Sequence, residues 1–151
     1  MMRALTVWQP WAALIMAGAK PYEFRRWPAP RALVGHSIVI HAGARPPKRT
    51  ECLDLIRQIE AGAAGGLKPE IALPLLAQIL NGSALPPLSA GLGRVLLGRP
   101  QRVTELFGHC ADADGLDPAM WGWPMHEPIA FAAPVPARGA QGFWPWTGGE
   151  P

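Results

Sequence analysis

The chain is poor in the residues that cross-link a small fold or bind metal: of 151 residues only two are cysteines, Cys52 and Cys110. They form neither a CxxC pair nor a disulfide framework, and both are expected to stay reduced, as in a cytosolic protein. His109 and Cys110, with Asp112 and Asp114 close behind, lack the second ligand pair that a metal site needs, so neither metal nor cofactor is expected. No apolar run approaches the ~20 residues of a membrane span. Arg3 followed by apolar residues up to Ala19 imitates a secretory signal. Gln9 and Pro10 interrupt that run between two tryptophans, and cleavage after Ala19 would leave Lys20 at the new terminus, so the expectation is a cytoplasmic protein without a membrane partner. "GLGRVLLG", Gly91 to Gly98, has neither GxGxxG spacing nor a P-loop Lys-Ser/Thr, which disfavours a nucleotide-phosphate cradle. No GxSxG occurs, and His36, His41, His109 and His126 sit beside no evident nucleophile, which disfavours a serine hydrolase. Internal repeats are absent.

What the chain has instead is 18 prolines, 17 glycines and 49% apolar residues with 17% charged. These numbers exclude a mainly disordered chain and describe a packed but loop-rich one, of a length that fits a single domain over residues 1–151. Charge is unevenly spread. Residues 1–50 carry eight basic residues against Glu23, a net +7, whereas the remainder carries six bases and ten acids, a net −4. Such asymmetry suggests a basic surface facing an anionic partner, nucleic acid being the commonest; the alternative is bases scattered over an ordinary surface.

"RALTVW" (Arg3 to Trp8) reads as a strand, and Gln9-Pro10 opens a helix of about two turns that Gly18 ends. "YEFRRW" is aromatic and alternating enough for a strand closed by Pro28 and Pro30, and "HSIVIHA" is the clearest buried strand. Thr50 is expected to cap a helix whose apolar face carries Leu53, Ile56 and Ile59. A second helix ending at Gly82 is expected to be interrupted near Pro74. Gly93 to Phe107 reads as a strand that bends at Gly98–Pro100 and resumes, followed by a polar, turn-forming stretch from His109 to Met120. "WGWPMHEPIAFAAPVP" supplies one or two proline-punctuated strands, and "GAQGFWPW" a last short one. Helices crowd the first half and strands recur throughout, which favours an α+β domain around a small, partly closed barrel.

"LTVWQPWAALIMAGAKPYEFRRWPAP", followed by "IVIHAGA", resembles the ASCH domain family, which shares the β-barrel of the PUA superfamily of RNA-binding modules. The family signature G-x-K-x-x-E-x-R is matched by Gly18, Lys20, Glu23 and Arg25, after a Trp-Gln-Pro-Trp segment. The closing "RGAQGFWPW" is similar to the family's Gly-x-Gln-Gly-x-Trp strand; the stretch from Thr50 to Gly82 is less characteristic. The resemblance implies a PUA-like small mixed β-barrel with flanking helices. It also implies a cleft between barrel and helices, lined by the signature residues and suited to a nucleotide or nucleobase. Relatives include RNA binders, ribonucleases and amidohydrolases acting on N4-acetylcytidine, and fold alone does not choose among these. In the amidohydrolases the position of Glu23 is a threonine that takes part in the reaction, so that mechanism is not carried over to this chain.

Strand alternation puts Glu23 and Arg25 on one face and Tyr22, Phe24 and Arg26 on the other. Lys20, just past a helix stop, is placed to hold a phosphate or, if desolvated, to act as a base; Glu23 opposes the second role by favouring the protonated lysine. If the site is an enzyme's, Lys20 and Glu23 are its catalytic candidates, Glu23 as general base and Lys20 as stabiliser of developing negative charge. The structural alternative is an ion-pair cluster that shapes the barrel. Trp11 and Trp27 are the tryptophans expected in the cleft, where a base would stack. Arg45, Lys48 and Arg49 follow the buried strand as candidate phosphate contacts, and His41 ends it either facing the cleft or satisfied within the core. Three readings stay open: binding of RNA or a nucleotide or nucleoside ligand, a hydrolase of the same fold, and a protein-interaction module.

Overall fold

In the computed structural model, which describes residues 1–109 and 111–149, the apolar run near the N-terminus becomes β1 (Arg3–Val7). Pro10 stands at the N-cap of α1 (Trp11–Met16). The Gln9 side chain does the capping, its Oε1 accepting the Ala13 N–H at 2.9 Å while its Nε2 donates to Pro87 O at 2.9 Å. Gly18, at φ +79°, ends the turn, a conformation that side chains other than glycine's rarely tolerate. β2 (Tyr22–Arg25) and β3 (Ser37–Ala42) follow, with a short 3₁₀ turn at Arg31–Leu33 between them. Cys110, Glu150 and Pro151 lie outside the described residues, and with them the expected state of Cys110 and half of the His109–Cys110 pair.

Two helices interrupt the strands, α2 (Arg49–Glu60) and α3 (Pro69–Asn81). Thr50 does not cap α2: Lys48 is the N-cap residue, without a side-chain bond. The packed stripe is Cys52, Leu55, Ile56 and Ile59, the i, i+3, i+4, i+7 set of one helix face, so Leu53 lies on its flank. α3 also corrects its expectation, because Pro74 sits inside an unbroken helix. Pro74 is solvent-exposed, whereas Ala72 and Leu76 are buried. Their packing in the same apolar cluster as Cys52 and Ile59 offsets the one backbone bond that a proline removes.

β4 (Ala90–Leu97), the two-residue β5 (Gln101–Arg102), α4 (Val103–Phe107), a 3₁₀ turn at Ala111–Asp114, β6 (Trp121–Pro136) and β7 (Phe143–Pro145) complete the chain. The strand expected to resume after Pro100 lasts only two residues. Val103 N–H bonds Met120 O, and its fully buried side chain joins Ala111 and Leu116, which turns the chain into α4. The sheet order is β2-β6-β4-β3-β1-β7, with β5 on the other side of the first residues of β6. β1 and β3 run parallel, and the other pairings are antiparallel. β6 reaches across the sheet by changing partner, from β2 at Trp121–Pro124 to β4 beyond. The register shift between Arg94 and Leu96 lies opposite Glu127, which has φ +49°, so the strand bulges there.

The sheet curls until its ends meet: Trp123 on β6 stacks on Phe143 of β7, centroids 5.6 Å apart and planes 13° off parallel. Inside the curl lie Leu5, Ile38, Ile40, Val95, Leu97 and Met125, closed at one end by Ala12 and Ile15 of α1. Leu14, on the opposite side of α1, packs with α2 and α3. The result is the expected α+β arrangement, a small mixed barrel with flanking helices. Gly93 shows how closely β4 and β6 approach, since a Cβ there would sit 2.4 Å from Ile129 O. Gly93→Ala is expected to destabilise the fold by about 1–3 kcal/mol in urea unfolding; an unchanged midpoint would contradict this packing.

Candidate functional site

After the Gly18 turn, Ala19 and Lys20 N–H both bond Leu14 O, and the chain enters β2 against β6. The register pairs Glu23 with Trp123 and Arg25 with Trp121, and directly opposed residues share a face. Tyr22 and Phe24 point the other way and meet Phe107 at 5.8 and 6.1 Å. The alternation expected for the signature strand is present, although Arg26 has left the strand and lies exposed, 3.9 Å from Asp117.

Glu23 lies between two cations. Its Oε1 accepts the Arg25 Nε–H at 3.2 Å, and its Oε2 is 3.7 Å from Lys20 Nζ. Lys20 Nζ donates instead to Tyr22 O at 2.6 Å and lies 4.6 Å from the centre of the Phe24 ring. Lys20 and Glu23 are both over 90% buried. Burial pushes the Lys20 ammonium below its usual range; Glu23 opposes the shift, and Arg25 adds to it. Glu23 Oε2 is buried without a hydrogen-bond partner. The nearest cation to that oxygen is the Lys20 ammonium, at ion-pair rather than hydrogen-bond distance. Arg25 reaches back to β1, donating from Nη2 to Thr6 O at 3.4 Å, and its guanidinium lies 5.7 Å from the Trp123 ring.

Glu23 and Arg25 face a cleft of ≈ 1080 Å³ at the seam where the curled sheet closes. Trp123 and Phe143 line it from the sheet, Trp11 from α1, and Trp8, Trp27 and Pro28 from the flanking segments. Trp8 and Trp27 are more than half exposed. The Trp27 backbone is fixed from below, because its carbonyl accepts the Trp123 Nε1–H at 2.9 Å. The remaining wall is the loop Ala140–Gly142. Of the residues singled out in the sequence, the fold brings Glu23, Arg25, Trp11 and Trp27 to the cleft. Lys20 is tucked behind Glu23 and does not line it. Arg45 stands beside it, with its guanidinium 4.1 Å from the Trp8 ring and held by Glu51 at 2.9 Å. Lys48 is exposed, and Arg49 donates to Leu80 O at 3.2 Å at the end of α3. Trp8, Trp123 and Phe143 were not singled out. Only long-range pairing brings Trp123 and Phe143 there, whereas Trp8 stood in the Trp-Gln-Pro-Trp segment and gave a signal.

His41 is buried and lies outside the cleft lining. A carbonyl oxygen only accepts, so His41 Nε2 carries the hydrogen that meets Ala137 O at 2.7 Å. Nδ1 then accepts from the Thr6 hydroxyl at 3.1 Å, and Thr6 Oγ1 accepts the Trp144 Nε1–H at 3.0 Å. A Cβ on Gly139 would lie 2.7 Å from both His41 Cε1 and Thr6 Oγ1, so the loop ahead of Ala140 is seated directly on this pair. Among the described residues, no three His, Cys, Asp or Glu side chains converge as a metal site would need, and no helix is long and apolar enough to cross a membrane.

Burial depresses the His41 pKa, so between the folded value and ~6.5 the unfolded chain binds more protons than the folded one. The contribution to stability is therefore fully present above pH ~6.5 and is lost as pH falls through the folded pKa. Urea unfolding from pH 7 to 5 is expected to show this loss in the native protein and a flatter profile in His41→Gln. Equal slopes in the two would contradict the neutral, doubly bonded imidazole.

No curated protein matches the chain. The ASCH domain model matches residues 5–69, a segment that contains Lys20, Glu23 and Arg25 and to which β6 and β7 add Trp123 and Phe143. Over residues 5–69 the chain is thus similar to the ASCH domain, and its α+β barrel with flanking helices is consistent with the PUA-like fold.

Proposed function

We propose that the chain acts as one ASCH-type domain that binds RNA, or a modified nucleotide or nucleoside, with one nucleobase in the cleft beside Glu23. The observation that carries this reading is the bonded pair of Glu23 and Arg25, an acceptor beside a donor on the wall of an aromatic cleft. An N–H on the edge of a base can meet the carboxylate, and a hydrogen bond to a carboxylate is of the stronger, charge-assisted kind. The Arg25 guanidinium beside it offers a donor to the neighbouring acceptor of the same base. The faces of Trp11 and Trp27 suit a flat, π-bearing ligand better than a compact anion. Lys20 serves this reading from behind, as the ion-pair partner that holds the Glu23 carboxyl in place.

A hydrolytic reading of the same site draws on one observation, the desolvated Lys20 within 3.7 Å of a buried carboxylate. Glu23 would then be the general base. Incubation of purified protein with RNA and with N4-acetylcytidine tests it: shortened RNA or released acetate, lost in Glu23→Gln, would replace binding by catalysis.

For binding, the four nucleosides and a single-stranded RNA are titrated while tryptophan fluorescence or heat is followed. At least one nucleoside is expected to bind. Glu23→Gln should weaken it by about tenfold or more, since a hydrogen bond to a charged group contributes about 1.5–3 kcal/mol. RNA affinity should fall with salt, by roughly 0.7 log units per log unit of salt for each phosphate engaged. No binding of any of these probes by a folded protein would overturn the reading.

A further inference from the structure

Resting on the cleft reading above, we propose that the ligand is a single-stranded oligonucleotide and that Trp8 is the stacking platform for the nucleotide next to the one at Glu23. Trp8 lines the same cleft of ≈ 1080 Å³ as Glu23 and Arg25, a volume at the top of the roughly 300–1,000 Å³ of ordinary small-molecule sites, so a ligand longer than one base can meet all three.

Trp8 is built as a platform. It is 56% exposed, an unusual state for the largest apolar side chain, yet it is held in place. The Arg45 guanidinium lies 4.1 Å from its ring and is itself fixed by both carboxylate oxygens of Glu51, at 2.9 and 3.3 Å. At its edge Gly43 packs closely, because a Cβ there would stand 3.0 Å from Trp8 Cδ1, a tight contact. An indole ordered before binding loses little freedom when a ring stacks on it. Its cation neighbour favours a ligand that carries negative charge between its rings, and Lys48 stands exposed a few residues further on.

Two planar units joined by an anionic link, the first with a hydrogen-bonding edge free to meet Glu23, describe adjacent nucleotides of an unpaired strand. A base-paired residue has its pairing edge occupied and its faces stacked, so it cannot serve both positions.

Trp8→Ala and Trp8→Phe are compared with the native protein. The probes are the best-bound nucleoside, the dinucleoside monophosphate and hexanucleotide made from it, and the hexanucleotide annealed to its complement. Affinity is expected to rise at least tenfold from nucleoside to dinucleoside. That gain should disappear in Trp8→Ala and largely survive in Trp8→Phe, with the duplex binding more weakly than the single strand. Binding that requires the oligonucleotide and is lost in Trp8→Ala supports the proposal equally. If nucleosides bind but length adds nothing, if Trp8→Ala keeps the gain, or if the duplex binds as well as the single strand, the second position is overturned while the base site at Glu23 stands. If no probe binds, both fall.

Discussion

One carboxylate between two cations organises this protein. Moving ions out of water costs several kcal/mol each, and the loss is recovered only where partners are close and well placed. Glu23 sits 3.2 Å from Arg25 and 3.7 Å from Lys20, and each cation is tied elsewhere, Lys20 to the Tyr22 carbonyl and Arg25 to Thr6 on β1. The cluster therefore fixes the chain as it leaves α1, and it joins β2 at one end of the curled sheet to β1 near the other. Removing Glu23 leaves a buried ammonium without its counter-ion, a far costlier change than losing an exposed ion pair such as Arg57 with Asp54.

The same strand pairing that buries these charges builds the cleft. Because Glu23 lies opposite Trp123, the carboxylate and the stacked Trp123–Phe143 pair open into one space, and the bond from Trp123 to the Trp27 carbonyl places the next wall. On the far side, the chain of hydrogen bonds from Trp144 through Thr6 and His41 to Ala137 holds the returning loop against β1 and β3. His41 acts on the cleft through that loop. The aromatic walls are thus positioned by polar groups that are themselves mostly satisfied, Glu23 Oε2 and Arg45 Nε being the buried side-chain atoms without a hydrogen bond among the described residues.

Local pattern made much of this legible in the sequence. Alternation sorted Glu23 and Arg25 from Tyr22 and Phe24, and Gly18 and Gly82 marked helix ends because a left-handed residue closes a helix in any context. The misses share a cause, which is tertiary packing prevailing over local preference. Pro74 should break a helix, yet it sits on the exposed side of one whose other side is buried. Val103 favours a strand, yet a buried pocket between Ala111 and Leu116 takes it into α4. The cleft drew on the same long-range information: Trp123 and Phe143 are far apart in sequence and meet only because the sheet curls. Lys20 reads as a free charge in the signature, and nothing in its neighbours reveals that it turns inward to the Tyr22 carbonyl.

The central claim is that the Glu23 carboxyl, beside Arg25, meets the edge of a bound base. Carbon-13 NMR of the Glu23 side-chain carboxyl, followed as each of the four nucleosides is added at neutral pH, addresses it most directly. The account predicts a Glu23 resonance that moves on saturation by at least one nucleoside, while that of the Glu51 carboxyl, already paired with Arg45, stays in place. A Glu23 resonance unmoved by a nucleoside that demonstrably binds would contradict it.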